Sequence, residues 1–261
     1  MPSTYAHYRF GTQMLPNMPG DARRTVQRFR RLFDVGLHGP DIFFYCSPLL
    51  KTATDALGGK YHNQTGEDFF TRVCRSLRID PSEAGIAYLY GVLCHYCLDA
   101  ACHGYIREVA DRGEVTHAQL ETEFERRLLE MDGKIPACSQ DLSRHIRLTP
   151  GECETVARFY PPASAKNISA SVAGMARYVK LFAMPEGPAR RVLEKGVGIV
   201  SKRYADMLMA EKPLPLCVPY LPGLMERYEQ AAELFPEMLT QLQAHMTYSA
   251  PFGEEFRDKF D

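Results

Sequence analysis

The segment CHYCLDAACHGY, residues 94–105, carries the side chains best suited to chemistry in this chain. His95, Asp99 and His103 follow one another at four-residue steps. In an α-helix each such step rotates the side chain by only about 40°, so the three groups lie along one stripe. A stripe of imidazole and carboxylate groups on an otherwise apolar helix is costly to bury unless a charged partner pairs with it. The spacing therefore predicts a buried charged partner.

Residues of the same types lie on both sides of this segment. His117 and Glu121 are again four residues apart, and the connection 108–115 is short enough to make the two predicted helices antiparallel neighbours whose stripes face each other. Upstream candidates lie in a turn after Gly-Pro, before a helix start and near the N-terminus: Asp41, His62 and His7.

The combined set has the ligand chemistry of zinc, with carboxylates able to bridge two ions. Five imidazoles and three carboxylates are too many for one tetrahedral ion. The set predicts a cluster of two or three zinc ions, with other divalent transition metals as alternatives.

The order of these residues resembles the zinc-dependent phospholipase C family. The shared pattern is H-x3-D, a nearby His, thirteen intervening residues and then H-x3-E. The segments MPSTYAHYRFG and GLHGPDIFFY resemble an intracellular bacterial branch of that family. The resemblance covers residues 1–125, and 126–261 match only as helical packing. It implies an all-α fold, shared with single-strand-specific zinc nucleases.

The resemblance also implies which residues hold each zinc ion. One ion would be bound by Asp41, His62, His95 and Asp99. A second would be bound, with a bridging water, by His103, His117 and Glu121. A third would take the chain's own N-terminus, His7 and, as a bridge, Asp99. Secreted members use an N-terminal Trp at that third position, and this sequence contains no Trp.

The implied activity is metal-assisted hydrolysis of a phosphodiester or phosphomonoester. Zinc lowers the pKa of a bound water towards about 7, and two ions about 3.5–4 Å apart stabilise the attacking and leaving oxygens. Asp41 is the candidate catalytic residue, because the family's equivalent carboxylate is proposed to orient or deprotonate the nucleophilic water. The sequence does not separate this role from metal binding.

Two other functions stay open. A nuclease or nucleotidase on the same fold would need aromatic side chains beside the metals to stack a base, for which Tyr45, Tyr61 and Tyr105 are candidates. A non-catalytic metal-binding protein would keep the metals without turnover. The missing Trp and the absence of an export signal give that alternative some weight.

Several other histidines and cysteines are candidates for a role but are not assigned to the cluster. His38, three residues before Asp41, is either a further ligand, a hydrogen-bonding partner of a ligand, or a residue that stabilises the turn. We interpret His145 as structural. The CxxC thiols of Cys94 and Cys97 are expected to pack as small apolar groups, and all eight cysteines are expected to be reduced.

Composition restricts the partners. The chain has 31 Lys and Arg against 32 Asp and Glu, which argues against stable nucleic-acid binding. No apolar run approaches the roughly 18–20 residues that span a bilayer, and the N-terminus lacks the features of a signal peptide. We expect a soluble, cytoplasmic protein whose partner is a phosphate ester, with phospholipid as one candidate. No oligomeric state is indicated.

The elements that must position these residues are helical by pattern. Apolar residues recur at three- and four-residue spacing, which predicts helices over 20–33, 66–78 and 83–110 and along the C-terminal part, where Pro236 predicts a kink or a break. A capping box at Thr116 predicts a further helix start. Strand patterns are scarce, and no linker is evident. The expected fold is all-α, a single multi-helix domain over residues 1–261.

Overall fold

The computed structural model describes residues 4–46 and 52–260, and over those ranges the chain is all-α, as predicted. It has no β-strand there, only an isolated bridge between Thr65 and Lys259. The α-helices are α1 (Thr4–Met14), α2 (Gly20–Arg28), α3 (Arg30–Gly36), α4 (Asp55–His62), α5 (Gly66–Ile79), α6 (Glu83–Asp111), α7 (His117–Met131), α8 (Pro150–Ala157), α9 (Ala165–Phe182), α10 (Pro188–Val200), α11 (Lys202–Asp206) and α12 (Leu221–Tyr248). Short 3-10 helices lie at Leu15–Asn17, Gly39–Tyr45, Ala137–Ser139, Val218–Tyr220 and Glu254–Phe256.

Helix α6 is the central element of the fold. It begins at a Ser82 cap, whose side chain accepts a hydrogen bond from the backbone N–H of Gly85, and it contacts α1, α2, α3, α7 and α12. Among the described residues it is the one helix long and apolar enough to cross a membrane, but 83% of its most apolar window is buried inside the protein. Such burial is typical of a core helix.

Glycines let α3 and the following turn approach α6 closely. A Cβ atom on Gly36 would lie 2.4 Å from the carbonyl oxygen of Tyr88, and one on Gly91 would lie 2.3 Å from that of Phe33. In the turn after α3, Gly39 has a φ of 45°, and a Cβ there would meet the His95 ring at 2.4 Å. Glycine tolerates this left-handed conformation without steric cost. These contacts bring the 3-10 helix that contains Asp41 onto α6.

Two predicted elements differ from the structure. The helix predicted over 20–33 is broken at Phe29, where φ is −116° and ψ is 41°, because α2 lies at the surface whereas α3 enters the core with most of its residues buried. Pro236 lies inside the continuous helix α12, so the predicted break is wrong, while a kink at Pro236 stays a prediction. The helices predicted at 66–78, 83–110 and Thr116 are confirmed within a few residues. That the whole chain forms one domain stays a prediction.

Candidate metal centre

All eight residues of the predicted cluster lie together in the structure. They form three groups, and within each group one potential ligand atom per residue lies within 4.8 Å of the others. The members of the three groups are, in turn, His7, His95 and Asp99; Asp41, His62 and His95; His103, His117 and Glu121. We call them the central, inner and outer groups.

Asp99 lies at the middle of the cluster. Its Oδ1 atom lies 3.2 Å from Nε2 of His7 and 3.7 Å from Nε2 of His103, and its Oδ2 atom lies 3.1 Å from Nε2 of His95. The predicted stripe on α6 therefore exists, and α1 adds His7 to it. One carboxylate thus contacts three imidazoles.

The inner group is built from the 3-10 helix at Gly39–Tyr45 and from the last residue of α4. Asp41 is fully buried, and its Oδ1 lies 3.1 Å from Nε2 of His62. The other ring nitrogen of His62 lies 2.7 Å from the carbonyl oxygen of Gly58. Since a carbonyl only accepts, Nδ1 of His62 must donate this bond, which leaves Nε2 as the ring nitrogen that faces Asp41.

The outer group joins α6 to the start of α7. The capping box formed by Thr116 and Gln119 makes His117 the first residue of α7, and Nε2 of His117 lies 3.2 Å from Oε1 of Glu121. Nε2 of His103 lies 3.4 Å from the same oxygen. Nδ1 of His103 lies 3.1 Å from the Phe260 carbonyl oxygen, to which it must donate. The His117 side chain is 33% exposed, so this group lies nearest to solvent.

The donor atoms of the cluster fit a bound cation. Nε2 of His62, Nε2 of His95 and Oδ2 of Asp99 are buried, and none of them has a hydrogen-bond partner among the described residues. Buried polar atoms are almost always hydrogen-bonded, and a cation between Nε2 of His62 and the Asp41 carboxylate would interact favourably with both. Imidazole nitrogens and carboxylate oxygens are the ligands that zinc prefers alongside thiolate. The residues therefore fit zinc.

The electrostatics of the cluster agree with this fit. Burial alone would raise the pKa of Asp99, but the neighbouring His103, His95 and His7 hold it well below its usual range. Burial lowers the pKa of His95 to about 3, despite the opposing effect of Asp99, so its ring is neutral at pH 7 and can offer a lone pair. Burial also lowers the pKa of His103, but the charges of Asp99 and Glu121 outweigh it and leave the pKa raised. The carboxylates are therefore ionised and attract positive charge.

His38 belongs to none of the three groups. Its ring is fully buried, and its Nε2 lies 2.8 Å from Nε2 of His145, so one of these nitrogens donates to the other. The His38 carbonyl oxygen accepts a hydrogen bond from the backbone N–H of Asp41. His145 in turn stacks on Tyr8, with ring centroids 4.1 Å apart. These contacts favour the turn-stabilising role over that of a further ligand.

A small cavity of about 60 Å³ lies beside Glu121. Its walls are polar and apolar in about equal measure, and the polar part includes Glu121 and a second buried glutamate at position 125. The Glu125 carboxylate accepts a hydrogen bond from the backbone N–H of Tyr5, and burial raises its pKa to about 8. Sequence reasoning missed Glu125, although the four-residue step from His117 to Glu121 continues to it.

The three candidate stacking tyrosines have different surroundings. Tyr45 lines the cavity. Tyr61 is buried and donates a hydrogen bond to the carbonyl oxygen of Pro161 at 2.7 Å. The Tyr105 ring lies 4.1 Å from the Arg227 guanidinium. Neither Tyr61 nor Tyr105 lines the cavity, which leaves Tyr45 as the ring available beside the outer group.

Comparison with known proteins gives one match. A family model described as zinc dependent phospholipase C matches residues 6–158, a range that contains all eight residues of the cluster. A search of curated proteins found no match, and neither did a search of solved structures.

Proposed function

Because the chain belongs to the zinc-dependent phospholipase C family, we propose that it hydrolyses phosphate esters with zinc ions held by the eight clustered residues. The observation that carries this proposal is the convergence of buried imidazole nitrogens and carboxylate oxygens without hydrogen-bond partners at His62, His95 and Asp99. A bound cation would satisfy those atoms, each of which costs about 1–3 kcal/mol when it is buried without a partner.

In this proposal the inner and outer groups each hold one zinc ion. Asp99 contacts both His95 of the inner group and His103 of the outer group, which suits it to bridging. A third ion would lie at the central group, with His7 and the chain's N-terminus, and the latter lies outside the described residues. The number of ions, two or three, stays a prediction.

The residues of the cluster have different roles in the proposed reaction. Bound zinc would supply a water of lowered pKa and charge neutralisation at the phosphoryl oxygens. Asp41, fully buried on the 3-10 helix, is held next to His62 and would orient or deprotonate the attacking water. His117 and Glu121 lie at the solvent-facing side and beside the cavity, where the substrate would enter.

The cavity beside Glu121 supports an ester whose leaving group is at least partly apolar. Val179, Phe182, Met207 and Met209 contribute to its walls, and burial of apolar surface is favourable by about 25 cal/mol per Å². The raised pKa of Glu125 keeps this carboxyl largely protonated at pH 7, so that it would donate a hydrogen bond to the substrate.

A nuclease or nucleotidase is the second candidate. Tyr45 beside the cavity supports it, since one aromatic ring is enough to stack one base. The formal charge of −1 disfavours tight binding of a polynucleotide, so a mononucleotide would be the better substrate.

Location of the protein in the cytoplasm stays a prediction.

The test is turnover by zinc-loaded protein of soluble nitrophenyl phosphodiesters and phosphomonoesters, short-chain phospholipids and nucleotides. We expect hydrolysis of at least one ester class, its loss on chelation and its return with added zinc. Full metal loading with no turnover of any of these substrates would favour the non-catalytic alternative. Turnover of nucleotides alone would favour the second candidate.

A further inference from the structure

Helix α10 lies in the segment 184–206, and the residues on either side of this segment line the cavity. Phe182 and Ala183 line the cavity just before the segment, and Met207 and Met209 line it just after. Between them run α10 and α11, and the main contacts of α10 with other helices are those with α11. The segment that contains α10 is thus joined at both of its ends to residues of the cavity wall.

The inner face of α10 is marked by a buried arginine. Arg190 is fully buried, its Nε donates to Glu194 at 2.7 Å, and its Nη1 donates to the carbonyl oxygen of Met184 at 2.9 Å. Both partners are close to Arg190 in sequence, and it is the burial of Arg190 that shows which side of the helix faces the protein.

The outer face of α10 carries apolar and cationic side chains together. Arg191, Val192, Lys195 and Ile199 follow at steps of one, three and four residues, which places them on one side of a helix. Val192 is 73% exposed and Ile199 is 87% exposed. In the described part of the chain neither Arg191 nor Lys195 forms an ion pair. The face is thus both apolar and positively charged, and its two apolar residues are exposed.

We propose that this outer face of α10 docks onto a membrane surface that contains anionic phospholipid. Helices that lie in a membrane interface combine apolar side chains with Lys and Arg in this way, and each cation near an anionic surface adds about 1 kcal/mol of attraction. A second copy of the chain is a poor occupant, because a two-fold contact would bring Arg191 and Lys195 against the same cations. Docking would hold the chain at a surface that carries phospholipid esters, an inference that rests on the proposed function.

Vesicle co-sedimentation of the full-length, zinc-loaded protein tests the docking. Vesicles of phosphatidylcholine with phosphatidylserine should bind the protein, and vesicles of phosphatidylcholine alone should bind it more weakly. The double variants Val192→Ser with Ile199→Ser and Arg191→Gln with Lys195→Gln should each lose about tenfold or more in affinity. Ile79→Ser, at an exposed apolar residue at the end of α5, is the matched control and should bind like the unaltered protein.

Unchanged vesicle binding by both double variants, or no binding by the unaltered protein, would overturn the docking proposal. So would a shift of the variants from dimer to monomer in sedimentation velocity, since α10 would then be a contact between copies. Turnover of a soluble phosphodiester, measured in parallel, should be the same in the variants and the unaltered protein. Absence of that turnover throughout would defeat the proposed function separately from the docking.

Discussion

Nε2 of His7 lies 3.2 Å from Oδ1 of Asp99, a contact that joins the N-terminal helix α1 to the middle of α6. The same carboxylate contacts His95 through its other oxygen. Asp99 therefore connects elements that are distant along the chain, and its charge acts on all the imidazoles around it. This position makes Asp99 the residue whose removal should disturb the cluster most.

Asp99→Asn should lower metal content and abolish phosphoester turnover. The amide keeps the size of the side chain but removes the charge that offsets bound cations. The loss should exceed the roughly 10–100-fold typical of a residue that only orients a ligand. Metal content and turnover are measured together, with Asp111→Asn, at the exposed end of the same helix, as the control. Full activity in Asp99→Asn would contradict the assignment.

Glu121→Gln should remove one ion while the inner group keeps its own. The outer group shares no residue with Asp41, His62 and His95, so the loss should be confined to it. Metal content per chain is the measurement, and Glu114→Gln, on an exposed residue just before α7, is the control. Unchanged metal content, or loss of every ion, would show that the groups are not arranged as separate sites.

Glu125→Gln should remove one contribution to the pH dependence of stability in the metal-free protein. Burial raises the pKa of Glu125 from 4.5 to about 8 in the folded state, so the folded chain holds a proton that the unfolded chain releases between these values. The stability that this proton contributes is fully present below pH 4.5 and is lost as pH rises to about 8, by an amount on the order of a few kcal/mol.

Urea unfolding of the metal-free protein at several pH values between 4.5 and about 8 measures the effect. Burial of neutral His95 and His145 makes stability rise with pH in part of this range, so the test is the difference between variants: the free energy of unfolding of the unaltered protein, relative to that of Glu125→Gln, should decrease as pH rises. Glu229→Gln, at an exposed position of α12, should keep the slope of the unaltered protein. Equal slopes in the unaltered protein and Glu125→Gln would contradict the burial of an acidic group beside the cavity.

His145→Ala should lower stability and leave turnover nearly unchanged. His145 is the hydrogen-bonding partner of the fully buried His38, and its loss should cost about 1–3 kcal/mol. His145→Gln retains a donor and an acceptor and should recover part of that stability. Thermal unfolding and turnover are measured on both variants. A large loss of turnover in His145→Ala would mean that the site is wrongly located.

The all-α fold and the ligand stripes on α6 and α7 could be predicted because both depend on local spacing, whereas the grouping of His7, Asp41 and His62 with them was implied by the family resemblance. His95, Asp99 and His103 share a stripe wherever α6 is helical, and the capping box at Thr116 sets the start of α7 regardless of what surrounds it. Such patterns involve residues that are close together in sequence, so they can be recognised without the structure.

Features that depend on packing between distant elements do not follow from spacing along the chain. The contact of His7 with Asp99 depends on how α1 crosses α6 and was implied only by the family resemblance, and the contact of His38 with His145, in a loop far along the chain, was not predicted. The break at Phe29 follows from the burial of α3, and the helical periodicity of the sequence does not show this burial. Glu125 lies between these two classes, because the sequence shows its four-residue spacing from Glu121 but does not show that it is buried.

Metal content per chain is the most direct test of the central claim, measured by plasma mass spectrometry on protein purified without chelator or metal-affinity tag. The clustered ligands predict two to three equivalents of zinc, or of another divalent transition metal, per chain. A content of zero or one equivalent that added zinc does not raise would contradict the proposed metal centre.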